Sequence, residues 1–229
     1  MEDIDAIAAL QDPVRRRLYE YVAAQGREVG RNEAAEAAGV ARTLAAHHLD
    51  RLTEAGLLES GSRRLTGRSG PGAGRPAKVY TRAPGERSVS LPARDYRTAA
   101  ELLAEAAEQA GLDAGLRAAA RRRGEALRGP AAPCGALEEA VEVLAARGYE
   151  PHLEIPEDAE GAAGADARVV RMRNCPFHAV AESFPPLVCG MNLALLEGLL
   201  GADGPVRARM DARPGECCVV VEHSKNNDH

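Results

Sequence analysis

The sequence predicts an α+β chain in more than one part, and three observations carry that reading. A short helix, a glycine and a longer helix follow one another in "RNEAAEAAGVARTLAAHHLDRLTEAGLLES". A strand, a loop rich in Gly and Arg, and a returning strand come next in "LLESGSRRLTGRSGPGAGRPAKVYTRA". Beyond "RGPAAPCG" (128–135), helical and alternating segments interleave to the end of the 229 residues. Apolar residues make up 45 % of the chain, enough for a core, but aromatics only 3 % with no Trp. Alanine, leucine and valine must therefore supply the packing.

Taken in order, "DPVRRRLYEYVAAQG" reads as a helix capped by Asp12, with Pro13 in its first turn and Val14, Leu18, Tyr21 and Val22 at helical spacing. Asn32 is the expected cap of a short helix that ends at Gly39. The next helix is expected from about Ala41 to Ala55, with Leu44, Leu49 and Leu52 inward and His48 packed beside them. A hairpin with a long basic tip follows and returns at Lys78–Arg82. From Asp95 to Arg128 a helical stretch breaks near Gly111–Asp113, and its stripe (Leu102, Leu103, Ala106, Leu112, Leu116, Ala119) is narrow and alanine-rich. Such a stripe suits either a second copy of the chain or the chain's own next domain. The last part is expected as a helix at 136–147, strands at 149–155 and 168–174, a helix at about 187–200, and strands at 205–211 and 217–222. The organisation is thus 1–92, a helical connector at 93–130, and a small α+β domain at 131–229.

The net charge of −5 conceals a basic stretch: Arg63, Arg64, Arg68, Arg75, Lys78, Arg82 and Arg87 stand against Glu86 alone between 61 and 87. A local basic surface in an acidic chain suits phosphates. In a helix-turn-helix the second helix enters the major groove and its outward N-terminal residues meet base edges. Here those are Arg42, Thr43, Ala46 and His47, with Arg51 a turn further on; Arg63, Arg64, Arg68, Arg75 and Lys78 are the wing's candidates for the backbone. "AAHHLDRLTEAGLLES" followed by "GRPAKVYTRA" resembles the winged helix of ArsR/DeoR-like bacterial transcriptional regulators over roughly residues 10–83. The resemblance implies a double-stranded DNA operator as partner.

The five cysteines raise a separate question. With no signal pattern and no apolar run near the ~18 residues of a membrane span, the chain is expected in the cytoplasm, where thiols stay reduced. Their odd count argues against a disulfide framework, and no C-x-x-C pair marks a zinc ribbon. Cys175 is expected at a strand end, Cys189 in the first turn of a helix with Met191, Leu195 and Leu199 on one face, and Cys217 and Cys218 at the opening of the last strand. Three element ends that converge make a soft thiolate cage suited to an iron–sulfur cluster. Burial as ordinary core residues is the competing reading.

The spacing C-x13-C-x27-C in "NCPFHAVAESFPPLVCGMNLALLEGLL…RPGECCVVVE", after a winged helix, resembles the actinobacterial SufR-type repressors of iron–sulfur cluster biogenesis. That resemblance implies a homodimer carrying a cluster, [4Fe-4S], with Cys175, Cys189 and Cys217 as ligands and release of DNA when the cluster is lost. It leaves the fourth ligand open between an external group, His178 and Cys218, with Cys134 in the linker. Zinc is the alternative metal, and a thiol redox switch or a small-molecule sensor the alternative devices. No phosphate loop, paired carboxylates or oriented nucleophile points to an enzyme.

Overall fold

The computed structural model describes residues 2–63, 76–156 and 168–224. The chain divides into two compact units, Met1–Arg94 and Asp95–His229.

The first unit orders α1 (Glu2–Ala9), α2 (Pro13–Gln25), β1 (Val29–Gly30), α3 (Arg31–Ala38), α4 (Arg42–Glu54), β2 (Leu58–Arg63) and β3 (Ala77–Arg82). Asp12 caps α2 as expected, its carboxylate accepting from the amides of Val14 (2.8 Å) and Arg15 (3.0 Å). Gly39 closes α3 at φ 65°, in the left-handed region where a Cβ is strained. The cap of α3 is Gly30, not Asn32, which lies one residue inside the helix. β3 is the middle strand of an antiparallel sheet in the order β1-β3-β2, with Val29 opposite Tyr80 and Leu58 opposite Arg82. Leu18, Val22, Leu49, Leu52, Leu58 and Tyr80 fill the core. Leu44 is 41 % exposed, because the face of α4 that packs inward is Ala45, Leu49 and Leu52. That face is fixed by angle around the helix and overrides the apolar identity of Leu44.

The second unit orders α5 (Tyr96–Gln109), α6 (Asp113–Arg128), α7 (Leu137–Ala145), β4 (Pro151–Glu154), β5 (Val169–Met172), α8 (His178–Ala181), α9 (Pro185–Leu200), β6 (Val206–Met210) and β7 (Val219–His223). Its four strands run antiparallel in the order β4-β5-β7-β6. Val170, Met172, Val219, Val221, Val206 and Ala208 point from one face of the sheet into the core with Leu196, Leu199 and Leu200 of α9. α9 is not amphipathic as expected: residues all round it are buried, since α6 lies against it as well as the sheet. Gly124 of α6 and Gly198 of α9 meet at that crossing, where a Cβ on either would intrude on the other helix's backbone. The stretch 128–135, read from sequence as a linker, lies on α9: Cys134 is buried and its amide donates to the Leu200 carbonyl (2.8 Å). The loop between β4 and β5 falls largely at 157–167, outside the described residues.

Candidate functional site

In the first unit, the turn between α3 and α4 leaves Arg42, Thr43 and His47 exposed on the N-terminal half of α4, with Ala46 half-buried. Arg51 is exposed too, its guanidinium 2.7 Å from Glu54. Arg63 lies 3.5 Å from Glu28 and keeps most of its side chain in solvent. Arg64, Arg68 and Arg75 lie outside the described residues. Between α3, α4 and the hairpin opens a cavity of about 1160 Å³, whose lining sets Arg27, Arg31, Arg42, Arg63 and Lys78 against Glu28 and Glu33. Basic side chains converging on a concave surface concentrate positive potential where a phosphate backbone would lie.

Lys78 does a second job. Its ammonium donates to Asp50 Oδ1 (2.7 Å), and the Tyr80 hydroxyl donates to the same oxygen (2.7 Å). Arg31 Nε in turn donates to the Tyr80 hydroxyl (3.0 Å). Asp50 belongs to α4, Arg31 to α3, and Lys78 and Tyr80 to β3, so one carboxylate ties the exposed helix to its neighbours. Burial alone would raise the Asp50 pKa, but the bonds from Lys78 and Tyr80 outweigh it and the carboxyl titrates below its ordinary range. Burial and the Asp50 bond push the Tyr80 phenol up to about 12. Sequence reasoning missed Arg31, Asp50 and Tyr80, because their partners lie 19 to 49 residues away. His48 is half-buried rather than packed in the core as expected, its Nδ1 without a partner among the described residues, and burial lowers its pKa.

In the second unit, four cysteines from three elements pair off. Cys175, just past β5, and Cys217, just before β7, are free thiols whose titrations depend on each other. Its neighbour Cys217, and burial, push the Cys175 thiol up, while Cys175 and the bonds from Asn192 and the backbone pull the Cys217 thiol down. Asn192 Nδ2 of α9 donates to the Cys217 sulfur (3.4 Å) and is itself held by the buried Tyr149 hydroxyl, which donates to Asn192 Oδ1 (2.5 Å). Burial, and then Cys175 and Cys217, raise the Tyr149 pKa. Tyr149 and Asn192 escaped sequence reasoning, since neither carries a motif.

The second pair is a disulfide between Cys189 and Cys218, Cα atoms 6.4 Å apart, which corrects the expectation that the thiols form no such bond. Cys217 and Cys218 precede β7, with a bend at Cys218, so strict in-and-out alternation does not bind them and both sulfurs reach α9. Cys189 is fifth in α9, past the first turn where it was expected, so the free amides of the helix end do not reach it. His178 stands apart, 69 % exposed and 3.3 Å from Glu182, and Cys134 is free and buried near α7.

Among the described residues three potential ligands, His152, Glu154 and Glu216, bring their ligand atoms within 4.8 Å of one another, whereas no three of the cysteine sulfurs do. Arg171, 1 % exposed, pairs with Asp211 (2.8 Å) and lies 3.7 Å from both Glu154 and Glu216, so the cluster's positive charge is already supplied by the chain.

A family model described as a helix-turn-helix domain matches residues 10–61, which span α2 to most of β2. No curated protein and no solved structure matches the chain. The match and the hairpin that follows it define the class: a winged-helix regulator. The helix-turn-helix domain points to DNA binding and transcriptional regulation as the work of this chain. Among the described residues no helix is long and apolar enough to cross a membrane.

Proposed function

We propose that the protein is a transcriptional repressor that binds a double-stranded operator as a homodimer and reports on iron–sulfur status through a cluster, [4Fe-4S], held by Cys175, Cys189 and Cys217. The observation that supports this reading is that cysteines from the end of β5, the body of α9 and the start of β7 lie in two pairs, Cys175 beside Cys217 and Cys189 bonded to Cys218. The donor set fits the group: the sulfurs are soft ligands, and Asn192 and the backbone amides of Val219 and Cys218 stabilise a thiolate at Cys217. A bound cluster would supply an oxidant-labile link among the three elements. The chain's own residues would do the rest: Tyr149 orients Asn192, Asn192 orients Cys217, and Cys175 and Cys217 would serve as thiolates. Cys189 is available only after its bond to Cys218 takes up two electrons and two protons from a thiol reductant. The fourth position falls to an external ligand or to the Cys218 so released, while His178 is held by Glu182.

With the three ends tied, two winged helices would engage half-sites about one DNA turn, ~34 Å, apart. Genes of cluster assembly are the expected targets, repressed while the cluster is intact. A second reading is favoured by the disulfide itself: the same cysteines, zinc-bound or metal-free, act as a thiol redox switch.

Anaerobic purification, an absorption spectrum and iron and sulfide counts decide between them. About four irons and four sulfides per chain, with visible absorption that bleaches in air as DNA is released, support the cluster. Cys175→Ser should then lose colour and operator binding together. A colourless, iron-free protein that binds DNA in one thiol state only would replace the cluster by the switch.

A further inference from the structure

A carboxylate sits in the middle of the face that α4 would turn to DNA. At about 100° per residue, Asp50 stands about 20° from Thr43 and about 40° from Ala46 around the helix axis. Those are two of the residues expected at base edges in the major groove. A carboxylate on that face is repelled by the phosphates of any duplex. Core packing does not ask for it either: the buried face of α4 is Ala45, Leu49 and Leu52, and the Asp50 side chain is 40 % exposed.

Its partners give it a use. Asp50 accepts from the Lys78 ammonium and the Tyr80 hydroxyl, both at 2.7 Å and both on β3, while Arg31 Nη2 of α3 lies 3.4 Å away. Tyr80 is fully buried and Arg31 keeps its Nε on the Tyr80 hydroxyl, so each has a place of its own without the carboxylate's charge. Lys78 does not. It is the second residue of the strand that returns from the wing, its charge ends a flexible four-carbon stem, and it has no other acidic partner among the described residues. Freed from Asp50, it would be a mobile point charge in the cavity it lines with Arg42, which has no acidic partner among the described residues. A charge of that kind meets a phosphate on every sequence alike, and so adds affinity without discrimination. We infer that Asp50 is a specificity-determining residue for DNA: it withholds Lys78 from the phosphates and ties α4 to β3, which weakens binding to arbitrary sequence while holding the reading helix in place for base contacts. The inference rests on DNA binding by this unit, and on neither the dimer nor the cluster.

Fluorescence anisotropy of the reduced full-length protein over a range of salt tests it, with two probes: a duplex of random sequence, and the duplex that the wild type itself enriches from a random pool. Asp50→Asn keeps the shape of the side chain and removes its charge. On the random duplex it should bind more tightly than the wild type and steepen the fall of log K with log salt by about 0.9, one phosphate's share. Its gain should therefore be about 3-fold larger at about 50 mM than at about 200 mM salt. On the enriched duplex it should lose affinity, so that the ratio between the two probes drops by about 10-fold. Adding Lys78→Met to Asp50→Asn should restore the wild-type slope, and Lys78→Met alone should leave that slope unchanged. An Asp50 that only supports the fold would, on removal, weaken binding to both probes with no change of slope. That result, or a slope that Lys78→Met alone flattens by about 0.9, would overturn the inference. Far-UV dichroism confirms that each variant folds, and Lys78→Met, which leaves Asp50 in place, decides the point even where Asp50→Asn does not. A wild type that binds neither probe would overturn DNA binding and this inference together, whereas the wrong slope in a protein that binds DNA overturns this inference alone.

Discussion

Replacing Gly198 by alanine sets two effects of opposite sign against each other. Alanine is the better helix former by about 1 kcal/mol, so on propensity alone the change stabilises α9. At the crossing with α6, however, the new Cβ would overlap the Arg121 carbonyl oxygen and lie 3.0 Å from the Glu125 amide nitrogen. Both are backbone atoms of a regular helix and cannot swing aside, so the helices must part by about 1 Å, which forfeits a quarter to a half of the dispersion energy of the atoms in contact. For a leucine-sized side chain at the crossing that is about 1–3 kcal/mol, and Ala120 and the bond from Arg128 to the Gly198 carbonyl (3.3 Å) weaken with it. The overlap wins, and Gly198→Ala should destabilise residues 95–229 by about 1–2 kcal/mol net. Gly124→Ala should behave alike, its Cβ lying 2.7 Å from the Leu199 amide nitrogen. Gly115→Ala, also on α6 but with no atom within 4 Å of its Cβ, should stabilise by up to about 1 kcal/mol. Hydrogen exchange of the α9 amides in urea, on the intact chain, isolates this unit from the other. If Gly198→Ala protects α9 as much as Gly115→Ala does, the close crossing is wrong.

Three further outcomes are expected from the first unit. Asp50→Ala removes the acceptor of both Lys78 and the Tyr80 hydroxyl and should cost about 1–3 kcal/mol in thermal unfolding, with weaker operator binding; an unchanged midpoint would deny the network its role. Arg42→Ala should lower DNA affinity, and, if the side chain meets a phosphate, flatten the dependence of log K on log salt by about 0.9; unchanged affinity removes it from the interface. Burial holds the folded His48 pKa below its unfolded value, so below about pH 6.5 the unfolded chain binds the extra proton and stability falls as pH drops from 7 to 5. His48→Leu should lose that part of the acid slope, and an identical slope in both proteins would assign it elsewhere.

What could be read in advance was what neighbours in sequence decide. The Asp12 cap, the left-handed Gly39 and the break at Gly111 each depend on a few consecutive residues, and each stands where expected. β1 was missed because two residues carry no period; it exists only by pairing with Val79 and Tyr80. Leu44 was assigned inward for its chemistry, yet the angle around α4 gives that place to Ala45. α9 looked amphipathic because a sheet was the only neighbour foreseen, and the pair of glycines that brings α6 to its other side is silent without the fold. In the site the same division holds. Cysteine is visible wherever it occurs, but which sulfur meets which follows from the bend at Cys218 and the phase of α9, and the Tyr149–Asn192 support has no motif at all.

The cysteine geometry also constrains how the proposed sensor works. Cys189 has one sulfur, and in the disulfide it belongs to Cys218. Ligation of a cluster by Cys189 and the Cys189–Cys218 bond are therefore exclusive states of one residue, separated by two electrons. Cys175 and Cys217 are not committed in this way, both being free thiols. An oxidant that destroys a cluster would thus leave one pair able to close at once, fixing the cluster-free form rather than merely emptying it. Cys218→Ser separates the two roles: with an external fourth ligand, Cys218 should be dispensable for assembling a cluster but required to hold the protein off DNA after oxidation. Air-treated Cys218→Ser protein should then regain colour and operator binding on supply of iron and sulfide without added thiol reductant, whereas the wild type should need the reductant. If both need it equally, the disulfide plays no part in the cycle; if Cys218→Ser never takes up a cluster, Cys218 is itself the fourth ligand.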